Sequence, residues 1–394
     1  MAGEWRYYKI GELGKVVTGK TPSTKEPDNF GGPYPFITIP DLGQRVYIDI
    51  SERTLSEIGA GKMKTLLLPP NSVMMSCIAT IGKCGITTKP SFTNQQINSV
   101  ICDPIIVDPL FLYYVFTQIG HELESAGGGG SVYTNVSKSR FSEISVLLPP
   151  LPEQRAIAAV LGALDDKIEL NRRMNRTLES IAQAVFREMM KDEGGRMNGR
   201  ETTIGEVVTV VGGTTPSTTN SAFWGGDICW ATPKDLASLQ SPILLDTNSR
   251  ITELGLQEIS SGILPAGTVL LSSRAPIGYV AITHIPVAIN QGFIAIKCTD
   301  EVPNYFILNW LKDNMEEIIG RANGTTFLEI SKSNFRTIPI FIPPVEKMKN
   351  FVEIVEPIYQ KIVANLKQSR KLAALRDALL PKLMRGEVRV TVHE

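Results

Sequence analysis

The sequence predicts an α+β protein: two pseudo-symmetric α/β domains joined by two long antiparallel coiled-coil helices. Three observations predict it. The first is an internal repeat: the chain of 394 residues is written twice, about 194 residues apart. Ile10-Gly11-Glu12 returns as Ile204-Gly205-Glu206, and Thr21-Pro22-Ser23-Thr24 as Thr215-Pro216-Ser217-Thr218. Phe30-Gly31-Gly32 returns as Trp224-Gly225-Gly226, Asp41-Leu42 as Asp235-Leu236, and Ser137-Lys138-Ser139 as Ser331-Lys332-Ser333. One shared offset makes chance a poor explanation. A period this long is not that of a solenoid, and each unit is large enough to bury its own core.

The second observation is the order inside each unit. Residues 1–150 and 192–342 (the latter with a leading linker) are rich in Gly, Pro, Thr and Ser and carry short β-like runs. Examples are Pro35-Phe36-Ile37-Thr38-Ile39, Val73-Met74-Met75, Val269-Leu270-Leu271, Val280-Ala281-Ile282-Thr283 and Phe293-Ile294-Ala295-Ile296. Turn signals separate them, among them Gly31-Gly32-Pro33, Pro69-Pro70-Asn71 and Pro265-Ala266-Gly267. A short helix is expected near 109–125 and again near 303–320. Many strands with few helices favour α+β over a wound parallel sheet. The Gly-containing stretch 191–199 is expected to be a flexible join.

The third observation is a helical stretch after each unit, at 151–191 and 343–394. In the first, Ile157, Leu161, Leu164, Ile168, Asn171, Asn175, Leu178, Ala182, Val185 and Met189 alternate by four and three, the spacing of a coiled-coil seam. The second seam reads Phe351, Val355, Ile358, Ile362, Asn365, Ser369, Leu372, Arg376, Leu379 and Leu383. It is weaker, because Arg376 lies inside it and Pro357 should kink or delay the helix. Asn171 and Asn365 coincide under the repeat. Packed antiparallel, they would hydrogen-bond across the seam and fix register at a cost in stability; alternatively both face solvent. A helix of about 38 residues is roughly 57 Å long, so the pair would act as a ruler between two globular units.

Composition narrows the function. With 43% hydrophobic and 20% charged residues, the chain reads as an ordinary soluble globular protein. Met1 to Lys9 has no apolar core of a signal peptide, and no run approaches the roughly 18 apolar residues of a membrane span, so no membrane partner and a cytoplasmic location are expected. The five cysteines and three histidines form no CxxC pair and no HExxH, which makes a metal site improbable. Cys102 and Cys298 fall in equivalent apolar runs and read as buried small hydrophobes. No GxxxxGK[ST] phosphate loop is present, and no Asn-Pro-Pro-aromatic or Asp-Pro-Pro-Tyr run. Net charge is zero, which counts against a simple basic DNA-binding domain. Residues 200–342 carry about four more acidic than basic side chains, and 343–394 about four more basic than acidic. Any nucleic-acid surface is therefore a local patch or is shared with a partner.

The segment Leu147-Leu148-Pro149-Pro150-Leu151-Pro152-Glu153-Gln154-Arg155-Ala156-Ile157, continued by Leu164-Asp165-Asp166-Lys167-Ile168, closely resembles the start of the helical region in specificity subunits of type I restriction-modification systems. Gly19 to Ser23, Gly213 to Ser217, the pairs Asn94-Gln95 and Asn290-Gln291, and the ending Leu379 to Glu387 fit as well. The resemblance covers the whole chain in the family's order: target-recognition domain, helix, target-recognition domain, helix. Pro343-Pro344-Val345-Glu346-Lys347 departs from it, lacking the Glu-Gln step of Glu153-Gln154. The resemblance implies a non-catalytic reader of double-stranded DNA, each domain reading one half of a split target and the helices setting the unread spacer. It implies assembly with two methyltransferase subunits and with restriction subunits. S-adenosylmethionine and ATP would be bound by those partners, and no cofactor by this chain.

A sequence-specific reader places polar side chains on base edges and basic or hydroxyl groups on phosphates. Four loop regions offer these in both units. The first is Lys20, Thr21, Ser23 and Thr24, against Thr214, Thr215, Ser217 and Thr218. The second is Ser76 and Lys83, against Ser272, Ser273 and Arg274; the third is Asn94 and Gln95, against Asn290 and Gln291. The fourth is the Gly-rich stretch 127–130 with Tyr133, Thr134, Lys138 and Arg140, against Thr325, Thr326 and Lys332. Structural readings compete: Thr-Pro-Ser-Thr is an ordinary turn signal, Asn-Gln can satisfy buried backbone, and Lys138 and Lys332, ahead of an expected strand, can be solvated. Arg274 has Ile78 as its repeat mate, and an arginine can grip guanine bidentately. The outer helix face with Arg172, Arg173, Arg176 and Arg187 is either a docking surface or a solvated charged face.

Two rivals remain: a duplicated hydrolase, which needs a catalytic cluster shared by both units although no histidine is repeated, and a duplicated protein-interaction scaffold that does not bind DNA. The seam itself gives a first prediction. If Asn171 is buried, Asn171→Leu raises the melting temperature while loosening helix register; an unchanged melting temperature would mean that Asn171 faces water.

Overall fold

The structure is a computed structural model that describes residues 4–127, 135–191, 198–324 and 328–390. The chain divides into two compact units: residues 1–170 with 368–394, and residues 171–367. The first unit thus ends with residues of the second repeat. The second contains the C-terminal half of the first long helix.

In the first unit a five-stranded sheet runs in the order Gly14–Thr18, Ile97–Cys102, Ser72–Ser76, Cys84–Thr87, Tyr47–Ile48. All its pairings are antiparallel except the last. A three-stranded sheet holds Phe30–Ile37 between Arg53–Leu55 and Phe92–Thr93. The second unit repeats this topology strand for strand, from Thr209–Gly212 through Phe293–Lys297, Val269–Ser272 and Val280–Thr283 to Ile243–Leu244, beside a sheet centred on Trp224–Ala231.

The central strands are continuous apolar runs because both faces are covered. With a side-chain period of two, Val73 and Met75 join the core under the helix Pro109–Gly127, while Met74 joins the core on the opposite face. Val269 and Leu271 are divided from Leu270 in the same way. The helix expected near 303–320 forms as two, Asn304–Asp313 and Met315–Gly320, parted at Asn314. A two-stranded ladder closes each unit: Arg6–Lys9 with Ser145–Leu148, and Arg200–Thr203 with Pro339–Ile342. Each ladder delivers the chain directly into a long helix, Leu151–Met190 or Val345–Met384.

These helices pack antiparallel within both units. In the first, Ile157, Ala158 and Leu161 share a core with Leu380, Leu383 and Met384. In the second, the Phe186 ring meets Phe351 at 6.0 Å and Phe306 at 5.5 Å, among Ala182, Val355, Tyr359 and Ile362. The seam departs from the heptad in detail. Leu164, Ile168, Leu178, Ile358 and Leu372 are half-buried rather than central. Phe186, Tyr359 and Leu380 are buried in place of Val185, Ile358 and Leu379. A straight α-helix drifts against a seven-residue repeat, so the buried stripe slips by one position toward the domain it covers. The second helix is continuous through Pro357, with no delay; the ring sits on the exposed face, away from the packed seam.

Asn171, Asn175 and Asn365 are all buried. The bond between seam asparagines is offset by one turn from the expected pair. Asn365 Nδ2 donates to Asn175 Oδ1 at 2.8 Å, and Asn171 Nδ2 donates to the Asn365 carbonyl at 3.4 Å. Arg376, which interrupts the apolar pattern, donates to the buried Asp165 at 2.5 Å. The Tyr114 hydroxyl donates to the other Asp165 oxygen at 2.6 Å. Burial, and then the Asp165 charge, push the Tyr114 phenol far up. Burial alone would pull Arg376 down, but Asp165 and Asp377 outweigh it and hold the guanidinium above its ordinary value.

Phe186 joins both helices to the second domain. Phe186→Ala removes a fully enclosed ring and is expected to cost about 3–5 kcal/mol, read as a lowered denaturant midpoint of the full chain.

Candidate nucleic-acid interface

Within each unit the first three loop regions and the described end of the fourth form one continuous ridge. The Thr-Pro turn follows an edge strand and is seated at a glycine. Gly19 N–H donates to the Ile97 carbonyl, and Lys20 N–H to the Thr93 carbonyl at 3.0 Å. A Cβ on Gly19 would collide with the carbonyl oxygens of Thr93 and Asn94, and one on Gly213 with those of Ile289 and Asn290. Only glycine permits this approach. The turn is then clasped to the next loop by side chains. The Thr21 hydroxyl donates to Gln95 Oε1 at 2.7 Å, and Thr215 makes the same bond to Gln291. Both glutamines are exposed, and the clasp fixes how each presents its amide.

The chain of contacts continues. Cys77 N–H donates to the Gln96 carbonyl and Val136 N–H to the Cys77 carbonyl, both at 2.8 Å. In the second unit Ser273 N–H donates to the Gly292 carbonyl at 2.8 Å and Ile330 N–H to the Ser273 carbonyl at 3.0 Å. Turn, glutamine loop, hairpin loop and the segment before the short helix therefore adjoin in that order, twice.

Inside the ridge the candidates differ in role. Asn94 is buried, and its Oδ1 accepts from Gln96 N–H at 3.1 Å; Asn290 Oδ1 accepts from Gly292 N–H at 2.9 Å. Both asparagines hold their loops. Ser76 and Ser272 also point inward. Ser76 Oγ donates to the Thr80 carbonyl and accepts from Lys83 N–H; Ser272 Oγ does the same with Pro276 and Tyr279. Thr214 Oγ1 donates to the Glu258 carbonyl at 2.8 Å, whereas its repeat mate Lys20 is exposed.

Ser23, Thr24, Ser217 and Thr218 are exposed, and Lys83 is half-buried with its methylenes along Gly43. Lys138 and Lys332 open short helices, Lys138–Glu143 and Lys332–Arg336, capped by Ser137 and Ser331, instead of standing directly ahead of a strand. A Ser N-cap followed by helix-compatible residues was the missed signal. The Lys332 side chain, ammonium included, fills the space a Cβ on Gly212 would need. Arg140 is exposed. Tyr133, Thr134, Thr325, Thr326 and most of the Gly-rich stretch lie outside the described residues.

Arg274 lies in the hairpin loop, paired with Glu329 at 3.7 Å, the side chains 39% and 49% exposed. That spacing and exposure leave the guanidinium loosely held. In the first unit the matching bridge joins Ile78 to Asn135. The repeat mismatch at 274 is thus accompanied by a second at 329, and Glu329 is the residue that sequence reasoning missed.

No group of His, Cys, Asp and Glu among the described residues could hold a metal ion. Burial pushes the Cys77 thiol up to about 11 and those of Cys102 and Cys298 up to about 12, which leaves these three unsuited to nucleophilic chemistry. Burial and then Lys367 lower His284.

The fold and the ridge define a duplicated protein that presents the same set of loops from each unit. The chain belongs to the type I restriction modification DNA specificity domain family, whose model matches residues 2–180 and 200–372. It is 30% identical, over 98% of its length and 94% of the relative's, to the type I restriction enzyme MjaIX specificity subunit of Methanocaldococcus jannaschii. It is 32% identical to the HindI specificity subunit of Haemophilus influenzae over 48% of this chain and 41% of that one. Its fold is similar to a crystal structure of a type I restriction-modification S subunit from M. genitalium, with a TM-score of 0.57 at 17% identity and 96% of each chain covered. Membership makes the chain a specificity subunit rather than a catalytic one.

Gly213→Ala tests the seating of the turn. It is expected to cost about 1–3 kcal/mol through overpacking and to speed hydrogen exchange at the Ser273 amide, which hangs on the Gly292 carbonyl.

Proposed function

We propose that this chain reads a bipartite double-stranded DNA target for a type I restriction-modification complex, one half-target per recognition domain. The observation that carries the reading is the ridge. In each unit four loops adjoin, with polar side chains outward and backbone groups satisfied inward, as a surface for base edges and phosphates requires. Two long helices set the unread spacer and dock two methyltransferase subunits, and restriction subunits complete the nuclease. S-adenosylmethionine and ATP belong to those partners. With no net charge on the chain, much of the phosphate grip comes from partner subunits, since neutralising phosphates governs affinity.

The repeat separates what the two halves share from what they discriminate. The Thr21–Gln95 and Thr215–Gln291 clasps are common to both and suit a feature present in both half-targets; a glutamine amide matches the N6 and N7 edge of adenine. The loosely held Arg274, opposite Ile78, reads a base that only the second half-target has. Tyr133, Thr134, Lys138, Arg140, Thr325, Thr326 and Lys332 contribute phosphate or base contacts beside them.

The test is to co-express the chain with its methyltransferase subunit and map modified adenines genome-wide. A split motif with an unread spacer is expected; a stable complex without new methylation or DNA binding would favour a scaffold that does not touch DNA. Arg274→Ala is expected to relax one position of the second half-motif, with discrimination falling by about 1–3 kcal/mol and the first half unchanged. Identical motifs for both proteins would remove Arg274 from the reading surface.

A further inference from the structure

We infer that the helix seam is built to accept the other half of this same chain and to reject a second copy of either half. Two ion pairs of the first unit, each with a buried acid, carry it. Asp165, 8% exposed, takes bonds from Arg376 at 2.5 Å and Tyr114 at 2.6 Å. Glu153, 5% exposed, is gripped by Arg389 through both oxygens, at 2.6 and 2.9 Å. Both acids stand on the first long helix, and both bases follow from the second.

The repeat supplies the comparison. Shifted by 194 residues, the mates of Asp165 and Arg376 are Tyr359 and Ala182, both buried in the core of the second unit. Tyr359 is neutral there and exchanges hydrogen bonds with Asn309. The same crossing is therefore charged in one unit and uncharged in the other.

That asymmetry fixes what each helix tolerates. If the first helix paired in this register with its own copy, Asp165 would face Ala182 and lose its cation, twice. If the second paired with its own copy, Arg376 would face Tyr359, and Arg389 would face Lys347, the repeat mate of Glu153. Self-pairing of the first helix strips the buried Asp165 and Glu153 of their cations, and a buried ion pair robbed of one partner is strongly penalised; self-pairing of the second leaves Arg376 with Asp377 alone and sets Arg389 against a like charge. Only the pairing within the chain gives both buried acids a cation, so the wrong pairings are excluded by repulsion and desolvation rather than by a better fit alone. The inference concerns association and stands whether or not the ridge reads DNA.

The experiment uses the full chain with a protease site placed at 192–197 and cut after folding, followed by equilibration with isotope-labelled cut chain and native mass spectrometry. The expected result is exchange into one-to-one pairs of unlike fragments, with like pairs at least about a hundredfold below the statistical level. The variant Asp165→Tyr with Arg376→Ala gives the first unit the neutral crossing of the second and is expected to raise like pairs at least tenfold. Where that variant does not fold, Arg376→Asp is expected to lower the melting temperature of the uncut chain, and Asp165→Arg in the same molecule to restore it. A statistical mixture of pairs from the unaltered chain, or no restoration by the charge exchange, would overturn the inference.

Discussion

The rest of the molecule depends on burial of one helix stripe by another from far away in the chain. Each recognition domain offers an apolar face beneath its own helix, and neither face closes without the helix half that the other repeat provides. In the first unit Leu380, Leu383 and Met384 complete the core begun by Ile157 and Leu161. In the second, Phe186 fills the space between Phe306 and Phe351. Hydrophobic burial drives this closure without direction. Direction comes from polar groups: the buried asparagines Asn171, Asn175 and Asn365, and the ion pairs at Asp165 and Glu153. Apolar contact makes the helices stick, and the polar groups decide where they stop.

The ridge is built by the opposite division of labour. Its framework is backbone, with carbonyls and amides of adjoining loops bonded in series, and it leaves side chains such as Ser23, Gln95, Ser217 and Gln291 exposed. Asn94, Asn290, Ser76, Ser272 and Thr214 turn inward and hold the loops. Because the framework lies in glycines and main-chain bonds, residues at the crest can change without loss of the fold. That is how one scaffold accommodates Ile78 in the first unit and Arg274 in the second.

Much of this was legible before any coordinates. A repeat at one offset shows two equivalent domains, four-three spacing shows paired helices, and turn residues mark loops that do adjoin. What was not legible has physical causes. Period-two alternation is hidden in strands such as Ser72–Ser76, covered on both faces, so sheet order cannot be read from them. The buried stripe slips from Val185 to Phe186 and from Leu379 to Leu380 because a real helix does not turn by sevenths of two turns. Arg376 looks like a flaw in a seam until Asp165, 211 positions away in sequence, is seen opposite it. Whether an exposed threonine or lysine touches a base is not encoded in its identity, since the same side chain suits a turn, a solvated surface and a phosphate.

The division into units also sets an order of events during synthesis. Residues 171–367 are contiguous, so the second unit has all its parts before residues 368–394 have been made. The first unit is begun earliest yet contains residues 368–394. Its helix leaves the ribosome with Ile157, Leu161 and the acids Glu153 and Asp165 uncovered, and stays so until residues 368–394 arrive. Domains that form during translation ordinarily finish from the N-terminus onward; here the first to start is the last to close. The nascent chain therefore carries an open seam through most of its own production, and a seam that refuses copies of itself keeps neighbouring chains on one message from joining there.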